Sequence, residues 1–511
     1  MQISVAPFLF ALLCLFGISR ASQQNDPHFS VNNEKGRGRT LPKKDNSLAT
    51  PVVVQINFQQ SLGTITTHFV GVTIDTGAVE HNWATLDFSS KKVQTLARAL
   101  VPTFFRLGGT NADEMTYVLD TGRDHSDHST IMAPAKPGFN MTAEQWVTIN
   151  EFVQTVGWDF IFDFNALKRN ADGSWNPDNA RQLLQFSADR NYTIAGFEMG
   201  NEYDHYNYNK YNTTVTPSQL AKEIVSLQSL LSEFPKYYGS FIIGPETGGI
   251  KEEYFQGFLA AGGSKVVRAA SFHHYYFAGA DRILSRFTDV KIMDSFKLQV
   301  DSVFNQTRSV DALLPVWLSE TSSAYNGGAL GQSDRFVAGF LWLDKLGVAS
   351  SKGIQTVLRQ DFYGGNYALV DIDLNPNPDF WLTVLYKRIV RGAVFNATGR
   401  HDVRVYAACA NTDNFKAGSL VLYMLNPNNY SVTFDMTQLD HMPRQRYTLT
   451  AGDSDGLVSK FVSLNGKKLE LVNDELPDLK PEMAPSGLET VAPYSYTFLV
   501  FEEARVSICL H

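Results

Sequence analysis

Two glutamates stand out for where they fall. Gly200-Asn201-Glu202 closes the apolar run GFEMGNE (196–202), and Ser319-Glu320 closes PVWLSE (315–320). Two carboxyls held at one mouth are machinery for cleaving an acetal. One protonates the departing oxygen; the other, ionised, attacks the anomeric carbon or activates water. A lone strand-end glutamate is more often a helix cap or the partner of an arginine such as Arg106 or Arg359. Two of them, one behind an asparagine, favour catalysis.

Something must bring residues 202 and 320 together. From Phe69 to Gly392 short apolar runs alternate with helical patterns: FVGVTID (69–75), FFRLGGT (104–110), FIFDFNA (160–166), GFEMGNE, SFIIGPE (240–246), SFHHYY (271–276), PVWLSE and QTVLRQDF (355–362). Near-continuous apolar runs of four to eight residues are the signature of buried parallel strands. Thr142-x-x-Gln145 reads as a capping box, Asn176-Pro177 and Thr216-Pro217 as N-cap and N1-proline pairs, with Gln219 completing a second box. Further helices fit 89–101, 252–261, 291–307, 333–346 and 379–391. The alternation predicts an α/β fold, a (β/α)8 barrel over 51–392, whose catalytic groups sit at the carboxyl ends of the strands. A doubly wound open sheet is the alternative, but no glycine-rich phosphate loop follows the first run. After Gly392 the runs VRVYAACA, SLVLYMLN, SVTFDM, RYTLTA, KKLELV and YSYTFLVF alternate at period two between turns. They predict an antiparallel β-sandwich over 393–511, with PVVVQINF (51–58) adding a strand to it.

Composition narrows the partners. The 511 residues are 44% hydrophobic and 12% aromatic, too apolar for disorder. A net charge of −8 argues against nucleic acid as the main partner. Residues 1–21 read as a secretory signal, with an apolar core from Val5 to Ile18 and cleavage near Ala21, although no basic residue precedes the core. The core is short of the ~20 residues of a membrane anchor. Residues 22–50 read as a flexible polar tail carrying five basic and three acidic side chains; without them and Arg20 of the signal, the folded body is left at about −11. Secretion removes Cys14, and the remaining Cys409 and Cys509 then suggest one disulfide. The sequons at Asn140, Asn191, Asn212, Asn305, Asn396 and Asn429 fit a glycoprotein. The expected location is extracellular, with lysosomal or cell-surface destinations open.

The motifs GFEMGNE, SFHHYY, PVWLSETSSAYNGG, VAGFLWLDKLG, LRQDFYGGNYALVD and PNPDFWL, with VYAACANTDN and YSYTFLVF towards the end, closely resemble the heparanase-like endo-β-glucuronidases of glycoside hydrolase family 79. The resemblance runs from about Val52 to Cys509. It implies a retaining mechanism with Glu202 as acid/base and Glu320 as nucleophile, the carboxyls ~5–5.5 Å apart. It implies that Glu202 begins protonated, its pKa raised by repulsion from ionised Glu320, and that the pH optimum is acidic. Asn201 would bond the sugar 2-hydroxyl and Tyr275 would steady the nucleophile. His273 and His274 are either supporting donors or satisfied core histidines. By similarity Asp75, Thr110, Tyr325, Gly327, Gln360 and Tyr367 line a glucuronate subsite, with aromatic packing the less favoured alternative for Tyr325 and Tyr367. No metal or organic cofactor is implied, and the chain is expected to act as a monomer on a glycosaminoglycan.

The departures bear on substrate. Heparanases carry a basic run after the fifth strand; here stands Gly249-Ile250-Lys251-Glu252-Glu253. Lys168, Arg169, Lys210 and Lys251 could supply some positive charge for a polyanion. The family's proline after the acid is Tyr203, followed by Asp204-His205, and an asparagine expected two residues after Asp75 is Gly77. Leech-type hyaluronidases of the same family also lack the basic run, so heparan sulfate and hyaluronan both stay open. Only about 49 residues separate the second and third runs, too few for the excised linker of heparanase, which predicts activity as a single chain. A non-catalytic glycosaminoglycan-binding paralogue is the rival from another class, and an exo-acting enzyme a third reading.

Overall fold

A computed structural model describes residues 50–119, 130–131, 138–207, 211 and 213–510. The expected signal and most of the tail, Lys210 and the Asn212 sequon lie outside them. The eight runs form eight parallel strands: β1 (Val70–Asp75), β2 (Phe104–Gly108), β3 (Asp159–Phe164), β4 (Gly196–Met199), β5 (Phe241–Thr247), β6 (Ala269–His274), β7 (Val316–Thr321) and β8 (Thr356–Arg359). They close into a barrel, β8 returning to β1 through Val357↔Val70 and Arg359↔Val72. A helix follows each strand: α1 (Lys91–Arg98), α2 (Ala143–Val156), α3 (Asp178–Asp189), α4 (Pro217–Leu231), α5 (Glu252–Ala260), α6 (Val290–Val310), α7 (Ala338–Lys352) and α8 (Pro378–Ile389).

The local signals act largely as their chemistry dictates. Thr142 Oγ1 accepts the Gln145 N–H and Gln145 Oε1 accepts the Thr142 N–H, closing the box at α2. At α4 only half a box forms. Thr216 accepts the Gln219 N–H, while the Gln219 side chain turns away, its amide nitrogen donating to the Gly173 carbonyl and Glu223. The helix expected over 333–346 begins at Ala338, because Ser333 holds the preceding residues as a loop through Ala329 N–H and Ser323.

The barrel interior is layered. Towards the amino ends of the strands, Ile161, Ile243, Trp317 and Leu358 pack with Phe104 and Phe241, the Phe104 ring lying 5.1 Å from Trp317. One pleat repeat further along, the inward side chains become charged: Phe104 gives way to Arg106, Ile161 to Asp163. An apolar floor thus carries a polar layer at the carboxyl end, where a (β/α)8 barrel places its chemistry. Register shifts interrupt β5, β6 and β7 there, between Gly244 and Thr247, Phe272 and His273, and Leu318 and Thr321. Such irregularities re-aim side chains.

The rest of the chain builds two further layers. A large sheet orders the strands Gln55–Ile65, Val390–Thr398, Arg404–Ala410, Leu420–Asn426, Ser495–Phe501, Arg444–Ala451, Val462–Leu464 and Lys467–Lys468, with Glu482–Ala484 beside Arg444–Ala451. A small sheet of Val52–Val53, Val432–Asp435 and Glu489–Val491 covers its outer face over a core of Val54, Phe395, Leu422, Phe434 and Phe501. The inner face seats Tyr406, Tyr423 and Tyr496 on α7 and α8, with Tyr496 4.6 Å from the Phe340 ring and the Tyr406 hydroxyl on Asp344 at 2.6 Å. Gly347 permits this approach, since a Cβ there would stand 2.4 Å from the Tyr406 ring. That double cover is why α7 is buried on almost every face, Asp344 and Lys345 included. The strand Val390–Thr398 follows α8 directly, so the chain enters the sheet three residues before the boundary read from sequence.

Cys409 and Cys509 form a disulfide, Cα atoms 5.4 Å apart, tying Arg404–Ala410 to the terminal turn Ser507–Leu510. It closes a separation of 100 residues. A Cys409→Ser/Cys509→Ser double variant is expected to lose about 2–5 kcal/mol, read as a lower Tm. An unchanged Tm would show that the surrounding sheet core carries the constraint without the bond. Among the described residues no helix is long and apolar enough to cross a membrane.

Candidate active site

Glu202 follows β4 in the left-handed region, φ 54°, its N–H bound to the Glu246 carbonyl at 2.8 Å. The turn aims its carboxyl back over the barrel. Glu320 lies within β7, and a carboxylate oxygen of Glu202 lies within 4.8 Å of one of Glu320. The Tyr275 hydroxyl donates to Glu320 Oε1 at 2.7 Å, and Arg106 Nη1 donates to Oε2 at 2.7 Å. Arg106 is fully buried and divides its other donors between Glu198 Oε2 (2.6 Å) and Asn201 Oδ1 (2.9 Å), with Glu246 and Asp163 within 4 Å. The guanidinium is the cationic hub beneath Glu320 and the deeper carboxyls.

His273 links the layer to the mouth. Its Nδ1 is 2.9 Å from Glu202 Oε1 and 3.9 Å from Glu320, and its Nε2 is 2.9 Å from Glu246 Oε2. Burial alone would strip its proton, but Glu320, Glu202 and Glu246 outweigh burial and hold its pKa above the usual histidine value. The second Glu202 oxygen faces His205 Nδ1 at 3.1 Å. Burial favours a neutral Glu202, yet hydrogen bonds from His205 and His273 outweigh it and hold the carboxyl below its ordinary range. This corrects the expected raised pKa: the groups bonded to the Glu202 carboxyl are two imidazoles, whose hydrogen bonds and charge outweigh burial. Deeper in, burial dominates and pushes Glu198 up to about 8 against the pull of Arg106. Asp113 anchors the strand ends, accepting from Asn201 N–H, Ala166 N–H and the Tyr206 hydroxyl.

The profile of glycosyl hydrolase family 79, N-terminal domain, matches residues 52–347. The chain belongs to glycosyl hydrolase family 79. Its relatives include Mus musculus heparanase, 32% identical over alignments covering 90% of this chain and 95% of that protein. Hirudo nipponia hyaluronoglucuronidase is 29% identical, with coverage of 90% and 99%. In fold the chain resembles the 4-O-α-L-rhamnosyl-β-D-glucuronidase of Fusarium oxysporum, at TM-score 0.61 and 18% identity over 88% of this chain and all of that one.

Most of the family 79 positions read from sequence converge on this mouth. The Tyr367 ring stacks on Tyr275, centroids 6.2 Å apart, and burial, with Asp361, Glu320 and Asp75 nearby, pushes its hydroxyl far up. Gln360 is buried, bonded to Thr73. Asp75 ends β1 and accepts the Gly77 N–H at 2.8 Å; Thr110 opens the turn after β2. Gly327, φ 78°, packs on the Tyr367 loop by accepting the Asn366 N–H, and Tyr325 is 45% exposed beside it. Lys251 is exposed, its Nζ 3.4 Å from the Asp204 carbonyl.

Three readings change. His274 is not at the site: it points outward onto Phe296 of α6 and Tyr276, as strand alternation after His273 requires. Arg169 is no surface cation, being buried and paired with Glu223, and Lys168 is buried too. Arg106, offered as the alternative to catalysis, pairs with Glu320 inside the same site, so pairing and chemistry coexist. Sequence reasoning missed Glu246, Glu198 and Asp163 as its partners. An arginine inside a buried strand was the available signal, since a buried cation must be paired.

Proposed function

We propose that this family 79 chain is an exported, retaining endo-β-glucuronidase that cuts internal glucuronidic bonds of a glycosaminoglycan, heparan sulfate or hyaluronan, without excision of an internal segment. The observation that carries the mechanism is the Glu202–Glu320 approach within 4.8 Å. It suits direct attack on the anomeric carbon, whereas a water-activating pair stands ~6.5–9.5 Å apart. Glu320, oriented by Tyr275 and Arg106, attacks from one side while a proton reaches the leaving oxygen from the Glu202 side. Glu202 then draws a proton from water, which displaces Glu320 from the sugar. In this reading Asn201, whose Oδ1 accepts from Arg106, bonds the 2-hydroxyl through its amide nitrogen.

The substrate class follows the names of the relatives, heparanase and hyaluronoglucuronidase. One observation favours hyaluronan. With Arg169 consumed by Glu223 and Lys168 buried, Lys251 is the exposed lysine left, among the described residues, of the cations considered for gripping sulfate. Purified protein incubated with each polymer separately is expected to shorten hyaluronan, and products are sized by gel filtration. Shortening of heparan sulfate alone overturns the hyaluronan preference. Monosaccharide release without shortening overturns endo action, and binding without any cleavage overturns the enzyme.

A further inference from the structure

Glu202 has both carboxylate oxygens engaged by imidazoles, and the two imidazoles differ. His273 is enclosed and held on its far side by Glu246. His205 has 34% of its side chain exposed, its Nδ1 on Glu202 and its Nε2 3.7 Å from Asp204. Its place is built by the neighbouring turn. Asp204 accepts the Gly248 and Gly249 N–H groups at 2.9 and 3.2 Å, fixing that turn over the ring. A Cβ on Gly248 would fall 2.4 Å from His205 and 2.7 Å from the Glu202 carboxyl carbon, so residue 248 must be glycine for the pair to sit there. His205 also occupies the stretch where the chain leaves the family pattern.

We propose that His205 is a proton-holding partner of Glu202: the two side chains share one proton through the catalytic cycle, and the acid serving the leaving oxygen is the pair. In the first half-reaction that proton passes through Glu202 to the glycosidic oxygen. The C1–O bond breaks, a Glu320–C1 bond forms, and the pair is left as neutral imidazole and carboxylate. In the second, water attacks C1 and the Glu320 bond breaks. The water's proton goes to Glu202 and returns to His205, where it rests until the next turnover. This rests on Glu202 being the acid/base. The charged groups facing His205 among the described residues are Glu202 and Asp204 on its own loop and Lys251 before α5. Those facing Glu202 are His205, His273 from β6, Glu320 from β7 and, through His273, Glu246 from β5. The hydrogen bond to Glu202, with Asp204, holds the His205 pKa above its ordinary value against burial and Lys251.

The test has two readouts. In 15N-histidine NMR, with the His205 signal identified by its loss in His205→Gln, the ring is expected to titrate above the usual histidine value, near 6.5. It should fall by more than one unit in Glu202→Gln; the same titration in both overturns the pair. In kinetics, the alkaline limb of wild-type kcat/KM should follow that histidine titration. In His205→Gln it should move acidward by more than one pH unit, to the range of a carboxyl alone. A His205→Gln profile that is lower but superimposable in pH overturns the proposal and leaves His205 as packing. If wild-type protein cleaves neither polymer, the functional reading fails, while the NMR comparison still decides the shared proton.

Discussion

Glu320→Gln is expected to lower kcat by about 10^4-fold or more, because a nucleophile has no substitute within a unit that acts together. The change is nearly isosteric. The amide oxygen can accept from Arg106 Nη1, and the amide nitrogen can donate to the Tyr275 hydroxyl, which rotates to accept. Ground-state contacts are thereby kept, and oligosaccharide affinity should change only a few-fold. Product sizing for kcat and calorimetry for binding separate the two effects. Hydrolysis at the wild-type rate sinks the assignment of Glu320, and equal loss of affinity and turnover would make it a binding residue.

Arg106→Met is expected to cost stability as well as activity. The guanidinium meets Glu198, Glu320 and Asn201 directly, with Glu246 and Asp163 close, and all are buried. Removing one partner of a buried ionic cluster strands the others, at about 3–5 kcal/mol. Arg106→Lys should recover part of this, since one ammonium cannot match a planar fork reaching three acceptors in fixed directions. Denaturant midpoints measure the difference. A loss under about 1 kcal/mol for Arg106→Met would mean that the deep carboxyls are uncharged and the hub carries little. The upward push on Glu198 makes it the first group to examine in that case.

The barrel was legible because each strand is an apolar run with both faces covered, and the eight runs coincide with the eight strands. Glu202 and Glu320 were legible as polar residues ending such runs. The hub was not: Arg106, Asp163, Glu198 and Glu246 converge from β2, β3, β4 and β5, and no local pattern says which inward residues meet across a barrel. Register shifts in β5, β6 and β7 add to this, since a one-residue slip moves a side chain to the other face. The ionisation of Glu202 was misread for the same reason. The expectation weighed repulsion from Glu320, whereas the deciding contacts come from His205 on its own loop and His273 two strands away.

The strands Gln55–Ile65 and Val390–Thr398 lie antiparallel, with Ile65 opposite Gly392. They are the two arms of one hairpin whose connecting loop is the entire barrel. Topologically the barrel is a guest inserted into an edge of the sheet. Closing so long a loop is entropically costly until its contents are compact, so the hairpin should zip only after the barrel has collapsed. The sheet then works as a clasp, completed last and locking the barrel shut.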